Sequence, residues 1–195
     1  MEAKIIVISP ETPSPDLASV LNEMATLPVF KIHLRFPHSS IDETRDFLKL
    51  LSPDCAAKAV LHHHHELVLE TKLSGIHYTE EFRMGDLAFE KQYPGTISST
   101  FHDPESIDWF LFDYVICSPI FPSISKSGYV PQYDKQEWKE EIEHEELTPA
   151  FALGGISAAQ IPECIELGFK GVVLHGELWR EGVAPIEKLK EILNS

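Results

Sequence analysis

Phe112–Lys126, FDYVICSPIFPSISK, is the stretch whose reading decides the fold. Its first part, Tyr114-Val115-Ile116-Cys117, is a short apolar run rich in β-branched residues. A run of this length without a 3.6-residue period reads as a buried strand. At Ser118-Pro119 the chain turns and becomes a loop of proline, serine and one lysine, so Ser123, Ser125 and Lys126 follow the strand's carboxyl end. Hydroxyls and an ammonium are donors suited to a phosphate, although a Ser/Pro/Lys loop is also what an ordinary solvated turn looks like.

The same pattern recurs downstream. Phe151–Ile156, FALGGI, is strand followed by Gly154-Gly155, with Ser157 opening a helix, and Gly171–Gly176, GVVLHG, is a further strand ending in glycine. Upstream, strands are expected at Lys4–Ser9, Pro28–Arg35, Lys58–Leu61, Gly75–Tyr78 and Gly95–Thr100. With Tyr114–Cys117, Ala150–Leu153 and Val172–His175 they number eight. Helical stretches separate them. Ser14-Pro15 reads as a cap plus first-turn proline before the stripe Leu17, Val20, Leu21, Met24. Ser40 with Glu43 forms a capping box. Further helices are expected over Glu66–Leu73, around Met84–Lys91, briefly after Asp103-Pro104, and over Tyr133–Glu146, Ala158–Leu167 and Pro185–Leu193. Pro162 is a misfit, because it falls inside a helix that starts at Ser157.

Strands alternating with helices imply parallel pairing through helical crossovers. Eight such units make an α/β fold, a single (β/α)8 TIM barrel spanning residues 1–195, at the short end of the usual length of about 200 upward. A doubly wound sheet is the rival. The formal net charge of −15 argues against nonspecific nucleic-acid binding and against anionic membranes. No apolar run approaches membrane-spanning length. Cys55, Cys117 and Cys164 are few and widely spaced, which suits free thiols in a reducing compartment. MEAKIIVISP lacks the cationic start and long apolar core of a secretory leader, so a cytoplasmic location is expected.

DYVICSPIFPSISK, FALGGI and LGFKGVVLHG, in this order and spacing, resemble the thiamine-phosphate synthase/TenI family, and the resemblance extends over nearly the whole chain. It implies a transferase of thiamine biosynthesis. Hydroxymethylpyrimidine diphosphate loses pyrophosphate with help from magnesium, and the ring nitrogen of a thiazole phosphate attacks the exposed carbon. The implied partners are small phosphorylated substrates and, for assembly, a homodimer. The alternatives are a TenI-like thiazole tautomerase, which moves only a proton, and a noncatalytic thiazole-phosphate binder.

The resemblance also assigns roles. Arg35 and Lys126 match the cations on the diphosphate and are the catalytic candidates. Ser123 and Ser125 stand for two threonines, and Ser99 for the serine of a VSxH-type motif. Gly154, Gly155 and Gly176 stand where the thiazole phosphate is held, after strands seven and eight, a frequent phosphate position in such barrels. Where the family reads Q-x-R-x-K, this chain has His33-Leu34-Arg35-Phe36-Pro37, and its N-D becomes His62-His63 within a run of four histidines. His33 and His62 are therefore expected at the substrate, and His63 with Glu81 at the metal. The second metal aspartate is replaced by Phe82. Magnesium wants oxygen ligands, and imidazole favours zinc-like ions.

Overall fold

The computed structural model describes residues 3–83, 95–122, 131–144 and 147–195. Eight parallel strands close in sequence order into a barrel: β1 (Lys4–Ile8), β2 (Lys31–Leu34), β3 (Ala59–Leu61), β4 (Gly75–Tyr78), β5 (Thr96–Phe101), β6 (Tyr114–Cys117), β7 (Ala150–Leu153) and β8 (Gly171–Leu174), with β8 pairing back onto β1. The doubly wound alternative is thereby excluded.

Helices cover the outside. Ser14 caps α1 (Pro15–Ala25) by accepting from the Leu17 N–H, and the helix buries Leu17, Ala18, Leu21, Met24 and Ala25. The Ser40–Glu43 box opens α2 (Ile41–Leu48). A short α3 (Pro53–Ala56) follows, and a 3-10 turn over His65–Leu69 stands where a longer helix is expected. Next come α4 (Glu80–Arg83), α5 (Lys135–His144), α6 (Ile161–Glu166), the four-residue α7 (Gly176–Trp179) and α8 (Pro185–Leu193). The expected Met84–Lys91 helix lies outside the described residues. Pro162 is accommodated because the α-helix proper begins at Ile161, after a 3-10 turn over Ala158–Gln160, which puts the proline in the first turn. Trp138 and Ile142 turn inward from the acidic α5. Among the described residues no helix is long and apolar enough to cross a membrane.

Side chains alternate across each strand. The outward set, including Ile5, Val7, Ile32, Leu34, Ile76, Val115 and Val172, packs under the helices. The inward set is divided. Ile6, Ile8, Ile116, Phe151 and Val173 give β1 and β6–β8 an apolar interior. The facing half, from β2 to β5, is polar: His33, His62, His77 and Ser98 are all buried. That division positions the site.

Candidate active site

A cavity of about 440 Å3 opens at the carboxyl ends of the strands, lined by residues from both halves of the interior. Ile8 and Glu11 come from β1 and the loop beyond it, Arg35 from the end of β2, and His62 from the end of β3. His77 lies in β4 with Thr79 and Glu80 just beyond it, and Thr100 lies in β5 with His102 just beyond it. Ser118 lies after β6, Leu153–Ile156 at and after β7, and Val173, His175, Gly176 and Glu177 at and after β8.

The floor is a hydrogen-bonded histidine cluster. His33 Nδ1 lies 2.9 Å from His62 Nε2, and His33 Nε2 lies 2.7 Å from the Tyr114 hydroxyl. The His62 ring stacks on His77 at 4.2 Å. His77 is fixed by Ser98 Oγ on Nδ1 and Thr100 Oγ1 on Nε2, both at 2.9 Å. Burial drives the pKa of His33 down to about 3 and those of His62 and His77 well below the usual value. All three imidazoles are therefore neutral at pH 7, each with one N–H. Two tautomer chains are consistent with the distances. Either Tyr114 donates to His33 and His33 to His62, or the direction runs in reverse.

The expected site residues divide into three groups. Arg35, His62, Gly154, Gly155 and Gly176 line the cavity. Arg35 is ion-paired with Glu11, and this contact holds the Glu11 carboxyl below its ordinary range. His33, His63 and Ser99 do not line it. His33 is 0% exposed and sits beneath His62, so it holds that ring and does not reach a substrate. His63 is half-buried, and its Nε2 has no hydrogen-bond partner among the described residues. Ser99 points outward: its hydroxyl donates to the Tyr78 carbonyl and accepts from Arg83, at 2.8 and 2.9 Å. The reason is strand parity, since Ser98 and Thr100 take the inward positions of β5. Counting the S-x-H spacing back from His102 lands on Thr100, which does line the cavity. Finally, Ser123, Ser125 and Lys126 lie outside the described residues, as does the Glu81 side chain.

The two glycines after β7 have a packing reason of their own. Gly154 and Gly155 adopt φ of +102° and +63°, and the Ile120 and Phe121 N–H groups donate to the carbonyls of Leu153 and Gly154. The SPIFP turn is thus laid directly on the Gly-Gly turn. The sequence reading also missed His102, His175 and Glu177 as cavity residues. Glu177 is 4% exposed and paired with Lys188 and Arg180 at 3.3 and 3.5 Å.

The comparisons with known proteins agree with this architecture. The family model described as thiamine monophosphate synthase matches residues 5–178. The chain belongs to the thiamine monophosphate synthase family. Within that family it is 27% identical over 174 residues to a thiamine-phosphate synthase of Bacteroides fragilis, covering 84% of this chain and 85% of the relative. It is 29% identical over 175 residues to one of Phocaeicola vulgatus, covering 84% and 83%. Among solved structures, a thiamine phosphate pyrophosphorylase from Bacteroides thetaiotaomicron superposes with a TM-score of 0.81 at 25% identity, over 97% of this chain and 95% of that one.

Magnesium, which the family implies, does not fit the described residues at the cavity. By the family resemblance, His63 and Phe82 stand where the two aspartates are expected. Of the described carboxylates at the cavity, Glu11 is tied to Arg35, Glu177 to Lys188 and Arg180, and Glu80 lies 3.9 Å from Arg83. Among the described residues the one group of three or more donors close enough to share a metal is His33, His62 and His77, all nitrogen. Magnesium needs an oxygen shell.

Proposed function

We propose that this protein is a thiamine-phosphate synthase, joining hydroxymethylpyrimidine diphosphate to thiazole phosphate with release of pyrophosphate. The observation that carries the reading is the family match over residues 5–178, on a barrel whose mouth gathers Arg35, the Gly154-Gly155 turn and Gly176 around one cavity. In this reading the glycine turns present backbone N–H groups to the thiazole phosphate, where no Cβ stands in the way. Arg35 binds the diphosphate after exchanging Glu11 for it, and Lys126, Ser123 and Ser125 supply the remaining donors. Cationic donors aimed at the leaving pyrophosphate stabilise the charge that builds up there as the bond breaks. His62 offers the cavity one neutral imidazole whose tautomer is held by His33. A tautomerase is not favoured, because Ser118-Pro119 stands where those relatives carry their catalytic histidine. A homodimer and a cytoplasmic location belong to the same reading. Three buried free cysteines support the latter.

The test is thiamine phosphate formation from the two substrates, with added magnesium, with zinc, and with a chelator. Product is expected in at least one metal condition. Lys126→Met and Arg35→Met should each lower kcat/KM by at least about 100-fold, the loss typical of removing one stabiliser of developing charge, with the far-UV circular dichroism unchanged. No product in any condition from folded protein would overturn the reading. Full turnover by Lys126→Met would overturn the assignment of that lysine.

A further inference from the structure

The polar half of the barrel interior has an arrangement that the family reaction does not account for. His33, His62 and His77 come from three neighbouring strands, yet one ring nitrogen from each lies within 4.8 Å of the others. From this geometry we propose that they form a three-nitrogen site for a divalent transition ion of the zinc class, at the floor of the cavity, with the fourth coordination position open to it.

Four observations support the site. First, the spacing is near that of a metal shell. Zn–N bonds of about 2.0–2.1 Å place neighbouring ligands of a tetrahedron about 3.3 Å apart. His33 Nδ1 and His62 Nε2 already face each other at 2.9 Å, so a small separation of these rings and an approach by His77 complete the triangle. Second, two of the three rings are braced from behind. His33 Nε2 is held by the Tyr114 hydroxyl at 2.7 Å. His77 has a hydroxyl on each nitrogen, Ser98 and Thr100, so one remains when the other gives way. Metal-binding histidines usually have their second nitrogen held in this way. Third, there is an entry path, because His62 and His77 both line the cavity while His33 lies beneath. Fourth, the donor set selects the ion. Three neutral imidazoles without a carboxylate suit zinc, cobalt or copper and repel nothing cationic. Burial already keeps the rings unprotonated. On metal entry the hydrogen bond between His33 and His62 and one of the two hydroxyl contacts of His77 have to be given up.

Such an ion keeps its full double charge and takes a water or an anionic oxygen as fourth ligand. In a cavity lined by Glu11, Glu80 and Glu177, with Arg35 already paired, it would supply positive charge to a phosphorylated ligand. Its use on the diphosphate rests on the function proposed above, whereas the site itself does not.

The experiment is metal binding without substrate. Chelator-stripped, dialysed full-length protein is titrated with zinc against a chromophoric chelator, and separately with cobalt, whose visible absorption reports tetrahedral nitrogen coordination. One equivalent should bind. His62→Gln and His77→Gln should each weaken binding by at least about 100-fold, beyond the 10–100-fold that a bracing partner is worth. Tyr114→Phe, which keeps all three ligands, should weaken it by about 10-fold. His63→Gln and His64→Gln should bind as the parent does, which separates this site from adventitious binding to those two neighbouring, partly exposed histidines. Should His77→Gln fail to fold for want of its two hydroxyl contacts, His62→Gln carries the test. Absence of binding in the parent, undiminished binding in His62→Gln, or loss in His63→Gln instead would each overturn the site. Zinc binding without synthase turnover would leave the site standing and count against the proposed function alone.

Discussion

At Gly155 two demands meet in one residue. The backbone φ is +63°, and a Cβ added there would lie 2.1 Å from the Pro122 carbonyl oxygen and 2.9 Å from Phe121 Cβ. The first demand is conformational and costs a side chain of order 1 kcal/mol; the second is steric, against backbone that opens the SPIFPSISK loop. Gly182 separates them, since its φ is +78° with nothing within 4 Å of the added Cβ. Gly155→Ala should therefore lose about 2–3 kcal/mol in urea unfolding, and Gly182→Ala about 1 kcal/mol or less. Equal losses would mean that the loop yields freely and that the glycine serves only ligand approach. Strand parity at β5 is another single-residue effect. Ser99 and Thr100 are both hydroxyl residues at the end of one strand, and a shift of one position exchanges a cavity-lining group for one buried under α4.

Helix α2 gives the same kind of test for an element. The Ser40 hydroxyl accepts from the Glu43 N–H, and the Glu43 carboxylate accepts from both the Ser40 N–H and its hydroxyl. Ser40→Ala should cost about 1 kcal/mol at pH 7. The Ser40 donors hold the Glu43 pKa below its ordinary 4.5. A depressed carboxyl stabilises the fold fully above its unfolded pKa and loses that contribution as pH falls through the folded value. The stability gap between the parent and Glu43→Gln should thus be present at pH 7 and close as pH drops below about 4.5, followed by urea midpoints. A gap independent of pH would remove the carboxylate from the cap.

Caps of this kind are local and can be read directly. Ser14, Ser40 and Asp103 all cap where the sequence places them, and the β4, β6 and β7 runs have the boundaries their composition suggests. The helix after β3 was harder. Its Glu66–Leu73 pattern carries enough leucine for an α-helix but lacks a capping residue, and a 3-10 turn forms with His64 at φ +56°. The histidine cluster was not legible. His33, His62 and His77 are brought together by barrel closure across 44 residues of chain; the family's pattern marks His33 and His62 for the substrate and His63 for the metal, but does not mark His77 or the meeting of the three rings. The family resemblance pointed to His63 for the metal, whereas the barrel turns the ring of His62 inward.

On the scale of the whole molecule, the interior and the surface are polarised in different ways. Inside, an apolar half-barrel built on Ile6, Ile116, Phe151 and Val173 faces a polar half built on histidine, serine and threonine. The cavity sits where the two meet, one wall suited to an aromatic ring and the other to hydrogen bonds. Outside, 31 acidic against 16 basic residues leave a net charge of −15. A diphosphate substrate approaches a like-charged body and is attracted only within a few ångströms of its cationic ligands. Long-range repulsion is screened by salt, with a Debye length falling from about 30 Å at 0.01 M to about 8 Å at 0.15 M, while contact pairs inside a cavity are screened much less. The value of kcat/KM for the diphosphate substrate should therefore rise between those two ionic strengths, by about two- to five-fold, with kcat nearly unchanged. Steady-state kinetics in sodium chloride at fixed metal concentration measures it. A fall in kcat/KM over the same range would mean that local cations at the mouth, Arg35 foremost, steer the encounter despite the charge of the whole chain.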